Sequence, residues 1–145
     1  MNILILDDSR TRHYFFARYL MGNEGVVLHA SYTATDAIRS LAQQPWDVIF
    51  LDHDLEESGE HCGNGSEVVE WILANKHDYP SKEAIHCVHS MNLPASQYML
   101  DVLRSAGIQP KRCTGAWEEV IGLQHLSLTG EWSLPHRHTD PLEFE

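Results

Sequence analysis

Polar and apolar positions along the chain alternate between short apolar runs and longer amphipathic stretches. Ile3, Leu4, Ile5 and Leu6 form a continuous apolar run closed by Asp7 and Asp8, the length and type of a strand buried on both faces. Over residues 10–21, Tyr14, Phe15, Ala17, the stem of Arg18, Leu20 and Met21 fall near helical spacing and Gly22 offers a stop, which predicts a first helix. Residues 26–30 predict a short second strand. Thr33 then caps a helix that carries Ala34, Ala37, Ile38, Leu41 and Ala42 on one face and is ended by Pro45. Residues 47–52 repeat the first pattern, an apolar run that terminates in a carboxylate, Asp52. Glycines among polar neighbours make residues 56–65 a loop, after which Ser66 and Glu67 open a third helix through Val68, Val69, Trp71, Ile72 and Leu73. Residues 84–88 predict a fourth strand. Pro94 begins a fourth helix whose apolar face is Tyr98, Met99, Val102 and Leu103 and which stops at Gly107.

Beyond Gly107 the pattern weakens. Residues 108–113 form a fifth strand by their place in the alternation rather than by composition. Residues 115–123 fit a short fifth helix, residues 126–134 alternate like a hairpin turning at Thr129-Gly130, and residues 135–145 read as an exposed tail. The length of 145 residues suits one ordinary domain, taken as residues 1–125, with residues 126–145 as a C-terminal extension. Regular alternation of strand and helix predicts an α/β fold with a five-stranded, mostly parallel sheet and helices on both faces. Ligands of such folds bind beyond the carboxyl ends of the strands, where strand order reverses.

Composition narrows the function. A hydrophobic share of 43% and a charged share of 21% are those of a soluble globular protein, and no apolar run approaches the roughly 18 to 20 residues of a membrane helix. The first apolar run has no basic region before it and ends in aspartates, so it is not a secretory signal, and the expected compartment is the cytoplasm. Cys62, Cys87 and Cys113 are odd in number and widely spaced, which argues for reduced thiols. A formal net charge of -11 disfavours extended nucleic-acid binding, which needs a basic face to displace counterions. A small phosphate-containing ligand remains compatible, because a carboxylate cluster meets phosphate through an intervening cation.

The predicted strand ends carry the chemistry. Asp7 and Asp8 end the first strand, Asp52, His53 and Asp54 the third, and His89, Ser90 and Asn92 follow the fourth. Carboxylates from neighbouring strands repel unless one is protonated or a cation lies between them. A hard, oxygen-loving cation, Mg²⁺ or Mn²⁺, suits Asp7, Asp8, Asp52 and Asp54. An Asp-Asp pair alone is as readily a helix cap, and a lone His89 a packed core histidine; their common rim favours function. His61-Cys62 and His136 with His138 lack full ligand sets and read as solvated.

The acidic pair, Asp52, Ser90 and Lys111 in the fifth strand region together resemble a response-regulator receiver domain, which implies a flavodoxin-like receiver fold. In that family the acidic pair holds Mg²⁺, the strand-three aspartate accepts a phosphoryl group, and the hydroxyl and lysine contact phosphate. Leu6-Asp7-Asp8-Ser9-Arg10, Leu51-Asp52-His53-Asp54-Leu55 and His89-Ser90-Met91-Asn92 are more closely similar to the cyclic-phosphate processing receiver domain family. Lys111 departs from the receiver pattern by following Pro110 rather than preceding a proline. The resemblance implies a metal-dependent phosphoesterase acting on a cyclic nucleotide or ADP-ribose cyclic phosphate. Asp52 would be metal ligand or nucleophile, His89 the acid or base with His53 next in line, and Ser90, Asn92, Arg10 and Lys111 the phosphate contacts. The alternatives are a signalling receiver phosphorylated on Asp52, and a degenerate receiver acting as a binding module, either with a homodimer or partner protein.

Overall fold

A computed structural model describes residues 1–20, 25–55, 63–90 and 92–113. The fifth helix, the hairpin and the C-terminal extension expected from the sequence lie outside the described residues, as do Gly22, His61, Cys62, His136 and His138. Among the described residues five strands, β1 (Asn2–Leu6), β2 (Val27–Ser31), β3 (Val48–Leu51), β4 (Ile85–His89) and β5 (Lys111–Cys113), alternate with four helices, α1 (Arg10–Leu20), α2 (Ala34–Gln43), α3 (Gly65–Ala74) and α4 (Leu93–Ser105). Every pairing is parallel and the order is β2-β1-β3-β4-β5, the doubly wound, flavodoxin-like arrangement. The chain steps outward from β1 to β2, then crosses back to β3, so strand order reverses between β1 and β3.

Side chains alternate across the sheet, and both faces are covered. Leu4, Leu6, Ile49, Leu51 and Val88 pack under Ala37 and Leu41 of α2, Val68 and Ile72 of α3, and Met99 and Leu103 of α4. Ile3, Ile5, Val48, Phe50 and Cys87 pack on the other face against Phe16 and Leu20 of α1. Double coverage explains why the central strands are continuous apolar runs rather than alternating ones.

Three local expectations are corrected. In α1 the buried residues are His13, Phe16 and Leu20, whereas Tyr14 is 59% exposed and Phe15 only half-buried. Aromatic and apolar side chains occupy successive positions 14–17, so their pattern leaves the helix phase open, and packing on Phe50 chooses Phe16. Helix α3 starts one residue before Ser66 and is capped by Asn64, whose Oδ1 accepts from the Ser66 and Glu67 amides at 2.9 and 3.3 Å. Strand β5 is three residues long rather than six, in keeping with the poor strand composition of residues 108–110. Thr33, by contrast, caps α2 as expected, accepting from the Asp36 amide at 3.1 Å.

Candidate functional site

The register of the sheet builds the site. Ile5 of β1 lies opposite Phe50 of β3, and Phe50 opposite Cys87 of β4. Two residues further along each strand, on the same face, stand Asp7, Asp52 and His89, one row at the carboxyl rim. The backbone continues far enough to hold them: the Asp7 amide donates to the Ser31 carbonyl and the Asp52 amide to the Leu6 carbonyl, both at 3.0 Å. Asp7, Asp52 and His89 are all buried, and their ligand atoms lie within 4.8 Å of one another. This row sits at the switch point between β1 and β3, where the fold leaves its crevice.

Asp7 is saturated by donors. Its Oδ1 accepts from the Ser9 amide at 2.7 Å and from Arg12 Nη2 at 2.9 Å. Its Oδ2 accepts from Arg12 Nε at 2.6 Å and from His89 Nε2 at 2.9 Å. Burial pushes the Asp7 carboxyl up, but the hydrogen bonds from His89 and Arg12 and the charge of His89 outweigh it and hold it at about 2. Asp52 lacks this support. Arg12 Nη2 stands 3.4 Å from its Oδ2, and burial, with Asp7 and Asp8 nearby, pushes its carboxyl up to about 6 against the opposing charges of His89 and Arg12. Asp8 is also buried, with Oδ1 3.7 Å from the same Nη2.

The remaining sequence candidates divide between the rim and its surroundings. His53 is half-buried and donates from Nδ1 to Asp54 Oδ1 at 2.7 Å, so these two form a pair of their own beside the row. Ser90 accepts from the Asn92 amide at 3.1 Å, and Asn92 caps α4 by accepting from the Ala95 amide at 3.2 Å. Lys111 lies opposite Cys87, one row below the rim, while Cys113 lies opposite His89. Arg10 is exposed on the first turn of α1; the arginine that meets the carboxylates is Arg12. Arg12 stands four residues before Phe16 and eight before Leu20, on the stripe that faces the sheet, and that spacing is the signal in the sequence. His13, also unforeseen, donates from Nε2 to the Asp7 carbonyl at 2.8 Å, and burial lowers its proton affinity. That bond fixes the chain as it leaves β1.

The donor set fits a hard divalent cation. Carboxylate oxygens dominate it, with Asp7, Asp8 and Asp52 all buried around one guanidinium and the His89 imidazole. Among the described residues, the side chains whose ligand atoms cluster closely enough to hold an ion together are Asp7, Asp52 and His89.

Solved receivers share the fold. A CheY-like receiver domain protein from Methanospirillum hungatei JF-1 is 17% identical, with a TM-score of 0.61 over 87% of this chain and 92% of that one. The RcsB response regulator of Salmonella typhimurium is 21% identical, with a TM-score of 0.60 over 94% of this chain, which spans 63% of the regulator's length. A Burkholderia pseudomallei response regulator solved with a phosphorylated aspartic acid, a calcium ion and citrate is 16% identical, with a TM-score of 0.60 over 88% of this chain and 68% of that one. No curated protein matches the chain. The profile of one family spans residues 2–105, from β1 through α4, and covers every residue of the rim. The chain belongs to the cyclic-phosphate processing receiver domain family.

Proposed function

We propose that the rim is a phosphoesterase site that opens a cyclic phosphate with the help of Mg²⁺ or Mn²⁺. The observation that carries this reading is the convergence of Asp7, Asp8 and Asp52 on one arginine nitrogen at the switch point, in a chain of this family. Asp52 and Asp8, with Asp7 beside them, would hold the ion. When bound, it supplies positive charge to a non-bridging phosphate oxygen as negative charge builds in the transition state. Water adds to phosphorus, one ring P–O ester bond breaks, and the proton lost by water is balanced by the one gained by the leaving oxygen.

Two histidines are oriented by carboxylates for that proton traffic. His89 donates a hydrogen bond from Nε2 to Asp7, and its Nδ1 is shut off from solvent, so it holds Asp7 in place. His53 donates a hydrogen bond from Nδ1 to Asp54 and is the more exposed of the two, which leaves Nε2 for exchange with a ligand. Arg12 offers the phosphate a guanidinium, and Ser90 a hydroxyl. The substrate class is a nucleoside 2′,3′-cyclic phosphate, a 3′,5′-cyclic nucleotide or ADP-ribose cyclic phosphate.

The test is turnover of that panel with Mg²⁺ or Mn²⁺ by wild type, Asp52→Asn, His53→Ala and His89→Ala. Asp52→Asn abolishes turnover, and His53→Ala slows it by about 10² or more while flattening the pH profile. A flat profile in His89→Ala alone moves the proton-transfer role to His89. A second reading, a signalling receiver phosphorylated on Asp52 that changes partners, draws on the phosphorylated aspartic acid and calcium ion of the Burkholderia regulator. A stable phosphoryl adduct on Asp52 from a small phosphodonor, with no turnover of the panel, selects it. Failure of both chemistries leaves a binding module.

A further inference from the structure

Arg12 reaches the rim from outside. Its side chain is 39% exposed, yet Nη2 lies 2.9 Å from an oxygen of Asp7, 3.4 Å from one of Asp52 and 3.7 Å from one of Asp8. A single nitrogen within reach of three buried carboxylates occupies the place where a cation would sit. The fork grips only Asp7 properly, through Nε and Nη2 together; the distances to Asp52 and Asp8 are at the limit of a hydrogen bond and beyond it. The Arg12 charge is thus shared unevenly among three carboxylates, closest to Asp7 and farther from Asp52 and Asp8.

We propose that Arg12 is a displaceable internal counter-ion: it holds the rim carboxylates together without a divalent ion, competes with that ion for Asp8 and Asp52, and turns Nη2 outward to the ligand phosphate once displaced. This rests on the divalent-ion reading of the rim. The physical case is charge and reach. A guanidinium and a divalent cation repel across a few ångströms of poorly screened space, and a carboxylate pair gains more from an ion with two charges than from a shared nitrogen. The bond from Nε to Asp7 keeps the head at the rim, while the side chain as a whole is 39% exposed and so open to a ligand from solvent. The same residue then serves two states of the site, with bidentate phosphate recognition in the second.

The binding of Mn²⁺ to wild type, Arg12→Gln, Arg12→Lys and Asp52→Asn, measured by calorimetry and electron paramagnetic resonance at constant ionic strength, tests the competition. Removing the competitor makes Arg12→Gln bind Mn²⁺ about ten-fold more tightly than wild type. Arg12→Lys, which keeps the charge without the fork, stays near wild type. In the presence of Mn²⁺, inorganic phosphate binds Arg12→Gln about ten-fold more weakly. A variant-free readout is the Arg12 side-chain resonances during Mg²⁺ titration of the wild-type protein, which shift as the site fills. Equal or weaker Mn²⁺ binding by Arg12→Gln, or resonances unmoved at Mg²⁺ saturation, overturns the proposal while leaving the metal site standing. If neither wild type nor Arg12→Gln binds Mn²⁺ at millimolar concentration, the divalent-ion reading fails first and takes the counter-ion role with it.

Discussion

His86 and His89 stand three residues apart on β4, both buried, and their surroundings are opposite. His86 donates from Nδ1 to the Ala84 carbonyl at 2.9 Å and accepts from the Tyr79 hydroxyl on Nε2 at 2.8 Å. Burial lowers its pKa to about 4 and raises that of Tyr79, so both are neutral and every polar atom of the pair has a partner. Nearby, Trp46 donates to the Ser40 carbonyl at 3.0 Å and its amide to Ser81 Oγ at 2.8 Å. His89 instead faces two buried carboxylates, one of which, Asp52, is poorly paired. A closed neutral network at one end of a strand contributes to stability. A cluster of buried carboxylates at the other end, with Asp52 costly to ionise, works against stability.

The neutral network around His86 carries the largest expected effects. His86→Ala opens a cavity and strands the Tyr79 hydroxyl, at an expected cost of about 3 kcal/mol in urea denaturation. A cost below about 1 kcal/mol would mean the network is ornamental. The same histidine carries a pH signature. Its folded pKa lies below the unfolded value, so its contribution is fully present above pH 6.5 and is lost as pH falls through about 4. Wild type should lose about 3 kcal/mol from this group across that window, and His86→Ala should lack that slope.

The rim side of the comparison is sharpened by two further variants. Gly65 opens α3 directly against Asp52: a Cβ there would collide with the Asp52 carbonyl oxygen and lie 2.7 Å from Met99 Cε. Gly65→Ala is therefore expected to cost about 2 kcal/mol and, by moving the Asp52 backbone, to weaken Mn²⁺ binding as well. Loss of stability with unchanged Mn²⁺ affinity would show that Asp52 does not depend on that helix for its position. Asp52→Asn should raise stability by about 1 kcal/mol in metal-free buffer, since it removes a carboxylate that is costly to ionise. A fall in melting temperature instead would mean that the rim is a structural ion cluster like any other.

The sequence by itself determined the order of elements and the rim. Apolar runs over residues 3–6 and 48–51 that end in carboxylates announce buried strands with chemistry at their ends, because burial on both faces leaves the strand tip as the first place a charge is tolerated. Period-two alternation then puts Asp7 on the face of Ile5 and Asp52 on that of Phe50. The caps were only partly legible: Thr33 precedes a clean amphipathic run, whereas Asn64 competes with Ser66 for the same duty, and Asn92, expected at phosphate, has its side chain engaged as the cap of α4. Which arginine meets the carboxylates was decided only by tertiary structure. Arg10 and Arg12 lie about 200° apart around a helix, and the helix phase follows from Phe16 and Leu20 settling on Phe50 and its neighbours, contacts remote in sequence. The pairing of His89 with Asp7 across 82 residues has the same origin, since β1 and β4, on either side of β3, share a rim only once the sheet has formed and its register is set.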